Sequence, residues 1–203
     1  ITVTVRDRFA NAISGASVVL AATGAGNTLT QPAAVTDANG VATGSISSTS
    51  VGTKLISATV DAIALADTVS LTVTPAGISA AQSTVSVDPT ALTAGAGSAS
   101  ITVTARDGNG NVVPGATVVL AATGTGNTLT QPTLVTDANG VATGSIASTG
   151  AGTKTISATI DGVLVTQTAS VTVSPAAISG TTSTLATSTA IVAAGTGSST
   201  LTV

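Results

Sequence analysis

Few side chains in this protein could do chemistry. Its 203 residues include eight acidic residues, all Asp, and five Lys or Arg; there is no His, Cys, Met, Trp or Tyr, and the one aromatic is Phe9. Without Cys and His there are no disulfides, zinc fingers, Fe–S clusters or haem ligands, and no Ser-His or Cys-His nucleophile pair. The remaining candidates are small clusters. Asp107-Gly108-Asn109-Gly110-Asn111 alternates oxygen-bearing side chains at Asp107, Asn109 and Asn111, the spacing a hard cation such as Ca²⁺ requires. Its counterpart, Asp7-Arg8-Phe9-Ala10-Asn11, loses the middle ligand, so the stronger reading is a turn that tolerates left-handed backbone, with no cofactor. Asp137-Ala138-Asn139-Gly140 reads as a turn for the same reason. Lys54 and Lys154 stand alone in uncharged strands, and the expectation is a solvated Lys on an outward or edge position. Gly124-Thr125-Gly126 has no following helix or Lys, so it is no phosphate loop. No residue suited to base catalysis near neutral pH is present except an Asp or Lys with a shifted pKa, and the reading is that the chain is not an enzyme. A net charge of −3 with so few cations gives nucleic acid and anionic membranes nothing to bind.

The elements that carry these clusters repeat. Aligning residues 1–100 with 101–200 gives about 59 identities in 100 pairs, enough for one architecture to serve both halves. ITVTVRD at Ile1–Asp7 returns as ITVTARD at Ile101–Asp107, and VTDANGVATGSI at Val35–Ile46 returns at Val135–Ile146. A period of 100 is too long for a propeller blade and fits one all-β domain per repeat. Val, Ala, Ile and Leu alternate with Thr and Ser, as strands do, and no apolar run approaches the ~18 residues that span a bilayer.

In the second repeat the alternation predicts seven extended segments: 83–93 (broken at Asp88-Pro89), 100–106, 112–123, 128–136 (an edge, because of Pro132), 141–148, 153–160 and 163–174. The inward set is Ile101, Val103, Ala105, Ala116, Val118, Leu120, Ala142, Gly144, Ile146, Ile156, Ala158, Ile160, Ala169, Val171 and Val173. Asp161-Gly162 marks a hairpin. Seven short strands with turns every 8–12 residues are the pattern of an immunoglobulin-like sandwich, here without a disulfide. The repeat frame divides the chain into 1–75, a domain lacking its first strand; 76–175, a complete domain; and 176–203, the opening strands of a third. The absence of Met, with Ile1 in mid-strand, points to a processed piece or window of a longer protein.

RDGNGNVVPGATV (Arg106–Val118), TDANG (Thr136–Gly140) and AGTKTISAT (Ala151–Thr159) resemble the bacterial Ig-like domain of group 1, the repeat of invasin and intimin-type adhesins. The likeness covers both repeats. It implies tandem Ig-like sandwiches, an extracellular place on a bacterial surface, and a stalk role. It also implies that receptor binding lies in a terminal domain outside this chain. The family's more usual larger apolar residue at Gly144, and its strand aromatics, are missing here.

Physical reasoning converges on the same function. Strands of nine or ten residues span roughly 30–35 Å. Units whose ends leave at opposite poles, joined by a short Pro-containing linker, stack as a semi-rigid rod. Partners are then neighbouring repeats. Two other readings stand beside the stalk. One is a self-assembling filament in which residues 176–203 add a strand to the open first domain of another copy. The other is a receptor or glycan-binding module using Gly124–Pro132 together with Asp107–Asn111.

Overall fold

The computed structural model describes residues 1–192 and 194–203, and every regular element in them is a strand. None of these residues forms a helix long and apolar enough to cross a membrane. The first repeat contains β1 (Thr2–Thr4), β2 (Val18–Ala22), β3 (Asn27–Thr30), β4 (Val41–Thr43), β5 (Ser45–Ser48), β6 (Gly52–Val60), β7 (Ile63–Ala64) and β8 (Val69–Val73). The second contains β9 (Thr84–Asp88), β10 (Ala91–Thr93), β11 (Ala99–Thr104), β12 (Val118–Ala122), β13 (Asn127–Thr130), β14 (Val141–Ser148), β15 (Gly152–Ile160), β16 (Val163–Leu164) and β17 (Ala169–Ser174). Two two-residue strands follow, β18 (Ala186–Thr187) and β19 (Leu201–Thr202), paired with each other.

The second repeat is a two-sheet sandwich. One sheet runs β10-β17-β15-β12, with β16 on β15; the other runs β13-β14-β11-β9. The first strand serves both sheets. β9 pairs antiparallel with β11, the chain turns at the cis Asp88-Pro89 peptide, and β10 then lies parallel to β17. Period-two alternation decides what is inside: Ile101, Val103 and Ala105 from one sheet face Ile156, Ala158, Ile160 and Val171 from the other, all buried in one aliphatic cluster. Gly144 occupies its inward place because nothing larger fits. A Cβ there would lie 2.5 Å from both Leu120 Cδ1 and Thr130 O, which is why the bulkier residue usual in the family is excluded. Only Val118–Ala122 of the segment 112–123 pairs as a strand, because Asn111 to Thr117 is taken up by turn and loop. β13 is an edge, as Pro132 implies.

The adjacent edge of the other sheet, β12, is closed by a side chain. Gln131 Oε1 accepts from Leu120 N at 2.7 Å and Gln131 Nε2 donates to Leu120 O at 2.8 Å, so one amide stands in for a neighbouring strand. Gln31 does the same for Leu20.

The first repeat has the same registers, β2 on β6 and β6 on β8, but no described segment stands where β9 and β10 stand in the second. Leu71 is 37% exposed where its counterpart Val171 is fully buried. A groove lined by Ile1, Val3, Leu20, Ile56, Leu65 and Val69 opens on that side.

Strand direction fixes how the chain threads the second repeat. β11 runs from Ala99, opposite Ile146, to Thr104, opposite Val141. Asp107, Gly140 and the Asp161-Gly162 hairpin therefore cluster at one pole, and Ser148, Gly152 and the 123–127 loop at the other. The chain enters at the first pole, where Ser83 bonds Arg106, and leaves at the second, where Val173 pairs with Gly152.

Candidate functional site

The clusters singled out by residue type fall into two places. Lys54 and Lys154 are each only 3% exposed, which corrects the expectation of solvated side chains. The reason is parity: Lys154 shares the inward face of β15 with Ile156, Ala158 and Ile160. Its ammonium reaches the end of the sandwich and donates to Thr125 O at 2.9 Å, while Lys54 donates to Ala25 O at 3.0 Å. Each lysine stem covers the end of the core, and its head ties down the loop above it. Asn127 Nδ2 closes the same loop from within, donating to Thr123 O and Gly124 O.

Asp137 and Asp37 hold the tight turns before β14 and β4. Asp137 Oδ1 accepts from Asn139 N and Val141 N, and the bond from Val141 is the main reason its carboxyl lies below the usual carboxylate range. Gly140, at φ +71, is required here: a Cβ would sit 2.7 Å from Ala105 O.

Asp107, Asn109 and Asn111 lie at the joint between the repeats. Asp107 is 1% exposed. Its Oδ1 accepts from Asn109 N and Asn111 N at 2.9 Å each, and its Oδ2 from Asn111 Nδ2 at 2.8 Å and Ala76 N at 3.1 Å. Burial pushes this carboxyl up, but the bonds from Asn111, Ala76 and Asn109 outweigh it and leave the pKa below its ordinary value. Ala76 belongs to the linker, so the carboxylate fastens the linker to the second repeat. Ser79 N donates to Arg106 O at 2.8 Å, and Ser83 Oγ accepts from Arg106 N at 3.0 Å. Asn111 then reaches into the first repeat, donating from Nδ2 to Thr49 O at 2.9 Å and accepting at Oδ1 from Val51 N at 3.4 Å. Of the three residues with cation-ligand spacing, Asp107 holds the linker and Asn111 the first repeat, forming a clamp of hydrogen bonds between domains, while Asn109 bonds Asp107 through its backbone N–H within the turn. No group of three or more His, Cys, Asp or Glu comes together among the described residues.

Of the segment Gly124–Pro132, the loop up to Asn127 sits at the pole opposite the Asp107–Asn111 turn, and Asn127–Thr130 runs as edge strand β13 along the sheet. Thr102 and Thr104 lie between β9 and β14, on the outer face of their sheet. Phe9 is exposed, with the Arg8 guanidinium 4.5 Å above its ring.

Sequence reasoning missed the linker and Thr49–Val51 contacts, and with them the whole joint. A signal was present in the recurrence of Asp-x-x-x-Asn at 7–11 and 107–111, one hundred residues apart.

The family model of the bacterial Ig-like domain (group 1) matches residues 1–74 and 82–174. The chain belongs to this family. Among solved structures, FdeC, an Escherichia coli adhesin, shares the fold at TM-score 0.68 and 24% identity, over 92% of this chain and 62% of that one. Yersinia pseudotuberculosis InvD matches at TM-score 0.62 and 25% identity, over 98% of this chain and 60% of that one. Invasin, a bacterial integrin-binding protein, matches at TM-score 0.51 and 27% identity, over 98% of this chain and 41% of that one. The chain therefore spans less than two thirds of each. No curated protein matches it. The chain is a tandem of Ig-like repeats of the kind found in bacterial adhesins and invasins.

Proposed function

We propose that this chain is a stalk segment of a bacterial cell-surface adhesin, whose tandem repeats hold an adhesive part away from the cell. The observation that carries this reading is the joint. Two like sandwiches meet pole to pole, with the linker bonded to the second repeat and Asn111 bonded to the first. The chain enters and leaves the second repeat at opposite poles, so added repeats add length. Cohesion comes from backbone ladders and an aliphatic core, and the work is mechanical continuity. In this reading residues 1–75 and 76–175 are the units and 176–203 repeat the start of another. The location is extracellular, and receptor contact belongs to domains beyond this chain, as the description of invasin as integrin-binding illustrates for that protein.

The test is to place the full chain between an outer-surface anchor and an epitope tag, and to measure the height of the tag above the membrane. The stalk reading expects the height to rise by one repeat length when the second repeat is duplicated, while the purified chain shows no saturable binding to host cells. Saturable binding by the purified chain, with height indifferent to repeat number, would replace the stalk with a binding module.

A further inference from the structure

The two Asp-x-x-x-Asn turns are the same object used twice. In each, the aspartate Oδ1 accepts from the backbone N–H groups two and four residues on, and Oδ2 accepts from the asparagine amide. In each, the preceding arginine donates across the turn, Arg6 Nη1 to Ala10 O and Arg106 Nη1 to Gly110 O. They differ in what lies outside. Asp107 also takes the linker N–H of Ala76, and Asn111 also bonds Thr49 O and Val51 N; Asp7 and Asn11 are exposed and, among the described residues, bond only within their own turn.

The surface that receives Asn111 is likewise present twice. The turn at Thr49–Val51 is held by Thr49 N donating to Gly26 O and Ser48 Oγ donating to Ser50 O. The turn at Thr149–Ala151 is held by Thr149 N donating to Gly126 O and Ser148 Oγ donating to Gly150 O. Asn111 reads only main-chain atoms there, so the changes from Ser50 to Gly150 and from Val51 to Ala151 leave the receiving groups in place.

We propose that the Asp-x-x-x-Asn turn is the plug, and the Thr-x-Val or Thr-x-Ala turn the socket, of a head-to-tail joint, and that Asp107 and Asn111 fix the angle between the two repeats. The partner each socket fits is the plug of another repeat of the same kind, recognised through backbone geometry and tolerant of sequence drift. The linker is already fastened to the second repeat through Ile78, Ser79 and Ser83, so the residues able to swivel are those around Thr74 and Pro75. Asn111 spans them. Without that span, domains on a short linker move relative to each other by default. This inference rests on the stalk reading, to which it supplies the source of stiffness.

The chain has no cysteine, so a spin label can be placed on each repeat in the full protein at the exposed, equivalent positions Val19→Cys and Val119→Cys. The expected result is a narrow distance distribution that widens roughly twofold in Asn111→Ala and in Asp107→Asn, and stays unchanged in Asn11→Ala and Asp7→Asn. The first-repeat variants lose the same local bonds and none across the joint. Should Asp107→Asn unfold the second repeat, Asn111→Ala decides alone, since it leaves the Asp107 bonds to backbone N–H groups intact. An unchanged distribution in Asn111→Ala overturns the lock and leaves the stalk standing. A broad distribution in the unmodified protein overturns both.

Discussion

Replacing Ile156 by Ala tests whether the aliphatic core alone holds a repeat together. Ile156 has no exposed surface, and it sits between Ala122 on β12 and Ala169 on β17. The change removes three carbons, worth about 0.8 kcal/mol each in transfer from water, or about 2.4 kcal/mol. A cavity is added because flanking Ala residues cannot reach in to fill it, which places the loss near 3–4 kcal/mol within the ~2–5 kcal/mol range for such truncations. In a unit of this size that corresponds to a fall of about 12–32 °C in Tm for the second repeat. Ile56→Ala removes the same atoms beside the open groove of the first repeat, where the walls can relax, and should lie near 2 kcal/mol, at the low end of that range. With no Trp or Tyr, the readout is differential scanning calorimetry with far-ultraviolet circular dichroism. A fall of less than ~3 °C in the second-repeat transition on Ile156→Ala would refute the reasoning, because a core residue cannot be that cheap to hollow out.

Four further outcomes are expected. Gly144→Ala should destabilise the second repeat by about 1–3 kcal/mol, since the new methyl meets Leu120 and the Thr130 carbonyl, and a calorimetric midpoint at or above wild type would contradict it. Lys154→Met keeps the stem and deletes the ammonium, so Thr125 O loses its donor; a loss of about 1–3 kcal/mol and faster amide exchange at Asn127 and Thr149 should follow. Asp7, Asp37, Asp107 and Asp137 all have lowered pKa values, so the stability they contribute is present above their unfolded value of about 3.9 and is lost as the pH falls through their lower folded values. With no histidine, denaturation midpoints should be flat from about pH 5 to 8 and fall below about pH 4, and a step near pH 6 would break that account. Addition of millimolar Ca²⁺ or of a chelator should leave both calorimetric transitions in place, because N–H donors already engage both oxygens of Asp107, and a rise in Tm with Ca²⁺ would reopen the cation reading.

Much of the fold was legible because period-two alternation is a local signal. The inward residues of 101–105 and 156–160 follow from parity alone, and the turns follow from Asp, Asn and Gly. Lys154 has the parity of Ile156, Ala158 and Ile160, but its charge led to the expectation of a solvated position; the alternation prevailed because a long stem lets the ammonium reach a carbonyl at the end of the sandwich. The size of the residue at position 144 was not legible, since the obstacle is set by Leu120 and Thr130, both distant in sequence. The joint was the least legible part. Asp107–Asn111 looked like a turn and is one, but its second role needs Thr49, Val51 and Ala76, whose contributing atoms belong to the backbone and leave no mark on residue type.

The central claim is that the two repeats behave as one stiff length of material. Residual dipolar couplings from the weakly aligned full chain measure this directly, with the amides of residues 2–73 and 84–174 fitted separately. The account predicts one alignment tensor, equal in magnitude and orientation for both repeats in the frame of this structure. Two tensors of different magnitude would mean the repeats tumble independently, and the chain would be a flexible tether.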